Sequence, residues 1–194
     1  ADVDAAIYFG LPPRIHRDAF SDLELEQREH NALQEEVAKW NVYEQQAKHD
    51  AKLEKVRRIP KQSGLYDLIK EQLLSTDDAV FWHFCGGPAG TGKSFLAELL
   101  LHLVRSKGWI AKASAATWLA AGNFEDALSI HSLFGLGVDE GVDAKPCQPN
   151  VSRQFLLKHA RLLVLDELPF LNRETFERIF TYLRDLKRTN KVQH

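Results

Sequence analysis

Apolar positions along the chain follow two patterns that change near Pro60. From Arg14 to Ile59 there is neither glycine nor proline, and Glu, Gln, Lys and Ala dominate. Ser21 and Glu24 stand at capping-box spacing, in which each side chain satisfies an amide at a helix start. Leu33, Val37, Trp40 and Tyr43 recur at helical intervals and make one narrow apolar stripe. The pattern predicts a long helix or two, docked along that stripe with the other faces in water. Charges of alternating sign fit such a solvated face better than a binding tail.

After Pro60 the apolar runs shorten and alternate in type. Gly64 to Ser75 reads as a short helix with Leu65, Leu68, Ile69 and Leu73 on one side, followed by a turn at Thr76-Asp77-Asp78. Ala79 to Cys85 suits a strand buried on both faces. Lys93 to Ser106 is helical, with Phe95, Leu96, Leu99, Leu100 and Leu103 apolar. Trp109 to Ser114 is a second strand, Ala116 to Gly122 a short helix, and Ala127 to Leu136 irregular with one helical turn. Residues 137–152, rich in Gly, Asp and Pro, form a loop. Arg161 to Asp166 is a third strand, and Asn172 caps a helix running to about Lys187. Strands separated by helical crossovers predict an α/β fold with a parallel sheet and flanking helices. We divide the chain into a helical region, 1–60, and an α/β domain, 61–194.

Composition narrows the class without naming it. The 194 residues are 44% apolar and 27% charged, as in a globular protein, with a formal charge of -2. No global basic field points to nucleic acid, although a local cationic stripe can sit on a neutral protein. Cys85 and Cys147 cannot make a disulfide framework, and neither they nor the scattered histidines have metal-ligand spacing. A reduced intracellular setting follows. No apolar run approaches a membrane span, so no membrane partner is expected. The chain has no methionine, even at position 1, and reads as a segment of something larger.

The chemistry lies in Gly87-Pro88-Ala89-Gly90-Thr91-Gly92-Lys93-Ser94. Glycines there let successive backbone N–H groups wrap a phosphate, and the following helix adds unpaired amides and its positive dipole end. Lys93 reaches the β and γ oxygens of a nucleoside triphosphate such as ATP, and the Ser94 hydroxyl is a Mg2+ ligand. Leu162 to Leu165 then runs apolar into Asp166 and Glu167. The pattern assigns Asp166 to the metal and Glu167 to the base that activates a water, which favours ATP hydrolysis over phosphorylation of a hydroxyl.

Three blocks together carry a resemblance. They are Gly87 to Leu96, the stretch from Ala115-Ala116-Thr117-Trp118-Leu119 to Ile130-His131-Ser132-Leu133-Phe134-Gly135, and Leu165-Asp166-Glu167. The series resembles the superfamily-1 DNA helicases of the Pif (petite integration frequency) type, including Helitron-like helicases, over roughly residues 62–190. The resemblance implies a RecA-like P-loop ATPase domain, incomplete at its C-terminal end, in a motor moving 5′ to 3′ on single-stranded DNA. It implies a second RecA-like domain of the same parent chain as partner, a nuclear location, and work in DNA repair and recombination. It places Thr117, His131 and Ser132 on backbone phosphates of the strand, with Phe134 nearby. His131 and Phe134 fit equally as core residues that fix a loop. A glutamine reading adenine precedes the phosphate loop in this family; Gln62 is the better-placed candidate and Gln72 the other.

The chain departs from that family at Trp118, where a small residue is usual, and at Leu168-Pro169, where a serine often follows the acidic pair. It stops before the Gly-Asp and glutamine motif that senses the γ-phosphate. The basic cluster Arg184, Lys187, Arg188 and Lys191 fits either a nucleic-acid contact or a solvated helix end. Without the arginine fingers of a second domain, residues 1–194 are expected to bind nucleotide weakly and to unwind little. Two other readings share parts of the pattern: an AAA-type remodeller or loader acting on protein, and an interaction module with a vestigial nucleotide site.

Overall fold

The computed structural model of the chain describes residues 3–9, 21–75, 81–137 and 146–190. The turn expected at Thr76 to Asp78, the first residues of the strand after it, the middle of the 137–152 loop and Lys191 lie outside the described residues. So do the side chains of Lys187 and Arg188.

Helix α1 (Asp22–Ala38) starts on the expected capping box, with the Ser21 amide donating to Glu24 Oε2 at 2.9 Å and the Glu24 amide to Ser21 Oγ at 3.3 Å. The chain breaks after Ala38, and Asn41 Oδ1 accepts from the amides of Tyr43 and Glu44 to begin α2 (Val42–Arg57). That break resets the helical phase, so the predicted stripe does not continue across it. Val37 and Tyr43 are exposed, and Glu36, Gln45 and His49 are buried instead. Each of these three has a partner: Glu36 meets lysines, Gln45 Oε1 lies 2.7 Å from His102 Nδ1, and His49 Nε2 2.7 Å from the Tyr66 hydroxyl. Helix α3 (Pro60–Leu74) begins earlier than the predicted Gly64, because Pro60 suits a first helical turn where no amide donor is needed.

The sheet has five strands, β1 (Val3–Phe9), β2 (Phe81–Gly86), β3 (Ala111–Ala115), β4 (Leu128–Ser129) and β5 (Leu162–Asp166), in the order β2-β1-β5-β3-β4. β3 pairs in parallel with β4 and β5, whereas β1 lies antiparallel between β5 and β2. Four strands therefore run one way and β1 runs against them. Sequence reading, which took residues 1–60 as helical and the sheet as all parallel, missed β1. Its apolar run is short, Ile7 to Phe9, and the ladder groups of its two neighbours place it. β2 is an edge strand rather than one buried on both faces, and Phe84 in its middle is exposed.

The remaining helices are α4 (Lys93–Arg105), α5 (Trp118–Ala121), α6 (Ile130–Phe134), α7 (Val151–His159) and α8 (Arg173–Asn190). Helix α7 was not anticipated; Asn150, inside the stretch read as loop, caps it by accepting from the Arg153 amide at 2.9 Å. Asn172 opens α8 as expected, accepting from Thr175 at 2.8 Å. Along β5 the side chains alternate between two cores: Leu162 and Val164 pack with α3 and α4, Leu163 and Leu165 with α6, α7 and α8. Among the described residues no helix is long and apolar enough to cross a membrane.

Helix α1 packs on α7 and α2 on α4, so the pair reaches both layers of helices that flank the sheet. A buried ion cluster pins this joint. Lys112 of β3 reaches Glu36 at 3.0 Å and Asp126 at 2.7 Å, and Lys39 closes the ring at 3.0 Å and 3.2 Å. Arg105 of α4 lies 3.6 Å from the Trp40 ring centroid beside it. Removing Lys112 leaves the buried Glu36 with only the half-exposed Lys39 as its partner, so Lys112→Met is expected to destabilise the fold by about 3 kcal/mol. Denaturant unfolding should show Lys112→Met/Glu36→Leu recovering most of that loss.

Candidate functional site

Strands β2, β3, β4 and β5 share one direction, so the segments leaving their C-terminal ends gather along one edge of the sheet. The glycine loop leaves β2, Thr117 follows β3, the Ile-His-Ser-Leu-Phe block follows β4, and Glu167 follows β5. β1 enters from the same edge, with Val3 opposite Gly86 and Ala5 opposite Asp166.

The loop after β2 is held by its glycines. Gly90 and Gly92 take left-handed backbones at φ 79° and 81°, and Gly92 turns directly into α4. A Cβ on Gly92 would also lie 2.6 Å from Gln62 Nε2. Gln62, in the first turn of α3, donates to the Thr91 carbonyl at 2.7 Å, so it touches the loop itself. Gln72 is instead occupied with His83 of β2, at 2.6 Å. Thr91 Oγ1 donates to the Pro88 carbonyl at 2.8 Å. The Lys93 ammonium curls into the loop, donating to the carbonyls of Gly87 at 2.6 Å and Pro88 at 3.0 Å.

Across the sheet edge, Ser94 Oγ donates to Asp166 Oδ2 at 3.0 Å. The other carboxylate oxygen accepts from the Glu167 amide at 2.9 Å. Asp166 is only 5% exposed, and burial pushes its carboxyl above the usual carboxylate range against the pull of those two hydrogen bonds. A buried carboxylate beside a serine hydroxyl is suited to a hard cation. Among the described residues no cluster of three or more His, Cys, Asp or Glu side chains could hold a metal. Serine and carboxylate alone leave most of a shell open, which fits a cation that brings phosphate oxygens with it.

Glu167 has a left-handed backbone, φ 56° and ψ 37°, rare outside glycine. Its Oε2 accepts from Thr117 Oγ1 at 2.7 Å. Sequence reading placed Thr117 on a DNA phosphate; the structure engages its hydroxyl with Glu167, fifty positions away, and no local pattern signals such a pairing. In α6 the block divides by helical phase. Ile130, Leu133 and Phe134 are buried, whereas His131 is exposed and Ser132 half-buried. The Phe134 ring is fully enclosed, edge-on to Tyr182 at 6.1 Å, so it serves the core and is not presented to a base. Gly135 ends the helix at φ 60°, where a Cβ would meet the Gln148 carbonyl at 2.0 Å. Sequence reading also missed the exposure of Leu119, next to Trp118, and of Phe170, which follows β5.

Comparison with known proteins follows the same residues. Residues 59–194 match the family model for PIF1-like helicases. The chain belongs to that family. It is 28% identical over 130 residues to the ATP-dependent DNA helicase Pif1 of Campylobacter jejuni subsp. jejuni, covering 63% of this chain and 28% of the relative. It is 25% identical over 112 residues to the ATP-dependent DNA helicase Pif1 of a Psychrobacter species, covering 56% of this chain and 17% of the relative. The chain thus spans less than a third of the length of these curated relatives. No solved structure matches it significantly. The PIF1-like match covers the phosphate loop, the block around α5 and α6, and the acidic pair, and it begins at the N-cap of α3, just before Gln62.

The raised carboxyl of Asp166 sets a pH dependence. The ionised form is disfavoured in the fold, so the penalty is absent below the unfolded carboxylate pKa, grows as pH rises from there to the folded value, and is constant above it. Asp166→Asn, whose oxygen can still accept from the Glu167 amide while its Nδ2 donates to Ser94 Oγ, should therefore stabilise the ligand-free protein at pH 7. In thermal melts the difference from wild type should vanish as pH falls through the carboxylate range.

Proposed function

We propose that this chain is the ATP-binding and hydrolysing part of a DNA helicase motor that moves on single-stranded DNA. The observation that carries the reading is the meeting of Ser94 and Asp166 at 3.0 Å beneath a phosphate loop, in a chain of the PIF1-like family. Bound Mg2+-ATP supplies the phosphoanhydride whose hydrolysis releases the energy for movement. Ser94 and Asp166 would hold the cation, which would offset the phosphate charge, and the loop amides from Gly87 to Gly92 would cradle the phosphates. The Lys93 ammonium leaves the loop carbonyls for the terminal oxygens, and Glu167 orients and deprotonates the attacking water. Gln62, fastened to the loop, borders the nucleotide and is our candidate for reading adenine.

Both curated relatives are named ATP-dependent DNA helicases, which supports DNA as the partner. We place the strand along the edge formed by α5 and α6, where His131 and Ser132 are available to its phosphates. A second RecA-like domain supplying arginine fingers, 5′-to-3′ movement, a nuclear location and a role in repair and recombination rest on family likeness. No feature of the described residues favours the remodeller reading.

The test is ATP hydrolysis by the protein carrying this chain, with and without oligothymidylate. Hydrolysis should be stimulated by the oligonucleotide, and Lys93→Ala should reduce it by about 10²–10³, the scale for losing one preorganised charge contact. Hydrolysis indifferent to both changes would overturn the proposal.

A further inference from the structure

The Thr117 hydroxyl does two things with one oxygen. A lone pair accepts from the Ala120 amide at 3.2 Å, capping α5, and its single proton goes to Glu167 Oε2 at 2.7 Å. The cap fixes the direction of that proton. Thr117 follows β3, on one side of β5, while the phosphate loop follows β2, on the other side with β1 between. The bond therefore draws the Glu167 carboxylate away from the loop where a terminal phosphate would lie.

The residues tied to Glu167 carry the exposed apolar surface of this edge. Trp118 and Leu119, directly after Thr117, are 71% and 88% exposed. Phe170, whose amide donates to the Glu167 carbonyl at 3.1 Å, is 73% exposed. Glu167 thus sits between two apolar groups, linked to each through one hydrogen bond and strained in a left-handed backbone. Every base offers a face on which an exposed indole can stack.

Resting on the motor reading above, we propose that Thr117 is a positioning residue that restrains Glu167. In this scheme single-stranded DNA seated on Trp118 and Leu119 shifts α5, breaks the Thr117–Glu167 bond and frees the carboxylate for the attacking water. Hydrolysis is thereby coupled to an occupied track. The bond to Asp166 is not disturbed, so nucleotide binding is unaffected by the shift.

The experiment compares steady-state ATP hydrolysis of wild type, Thr117→Val, Thr117→Ser and Trp118→Ala in the protein carrying this chain, across an oligothymidylate titration. Thr117→Val should raise DNA-free kcat by about tenfold, the order expected for losing one hydrogen bond to a charged group, with KM for ATP unchanged. Its further stimulation by DNA should be nearly lost. Thr117→Ser, which keeps the hydroxyl, should behave as wild type. Trp118→Ala retains the restraint and should need about tenfold more DNA for half-maximal stimulation, the scale of one stacking contact. A wild-type stimulation ratio in Thr117→Val, or equal loss of turnover with and without DNA, would overturn the restraint. Unchanged DNA dependence in Trp118→Ala would overturn the seat. Wild type that hydrolyses ATP but ignores DNA would overturn the motor reading itself, and this inference with it.

Discussion

The buried carboxylate of Asp166 is the constraint around which the rest is arranged. A carboxylate in that setting is costly unless something compensates it, and the compensation here is the Ser94 hydroxyl and the Glu167 amide. Ser94 belongs to the first turn of α4, so satisfying Asp166 locks the phosphate-loop helix against the tip of β5. The glycines at 90 and 92 then let the chain turn sharply enough for α4 to begin there. On the function proposed above, a bound cation would relieve the carboxylate that strains the ligand-free fold.

Around this centre the fold works by direction. Four strands run one way, and each releases its following segment at the same edge. That is why residues as far apart as Ser94, Thr117 and Glu167 become neighbours or near neighbours. The helical region is not an appendage beside this edge. It is tied to β3 through the Lys112, Glu36, Asp126 and Lys39 cluster, and α3, which follows it, brings Gln62 to the loop.

Local chemistry was readable because it depends on neighbours in sequence. The capping boxes and caps at Ser21 and Asn172, the glycine loop and the apolar run into Asp166 each announce themselves within a few residues. What failed was whatever depended on distant partners. The stripe through Trp40 and Tyr43 assumed one helical phase, and the break at Lys39 to Asn41 removed it. Glu36, Gln45 and His49 looked solvated, yet each is buried because a specific partner from another element meets it. β1 was invisible because its place comes from the open ladders of β2 and β5 rather than its own pattern.

By itself, then, the amino-acid order determined the phosphate loop, the acidic pair and most of the helices and strands, since glycine freedom, capping and apolar periodicity act over a few residues. Tertiary structure decided which polar groups meet: Ser94 with Asp166, Gln62 with the loop, and Thr117 with Glu167. It also decided that Phe134 fills a core while Trp118 stands in solvent. The reason is the same in each case. Hydrogen bonds and burial depend on the separation of atoms in space, and only the crossing of strands and helices brings positions 29, 50 and 72 residues apart to within 3.0 Å.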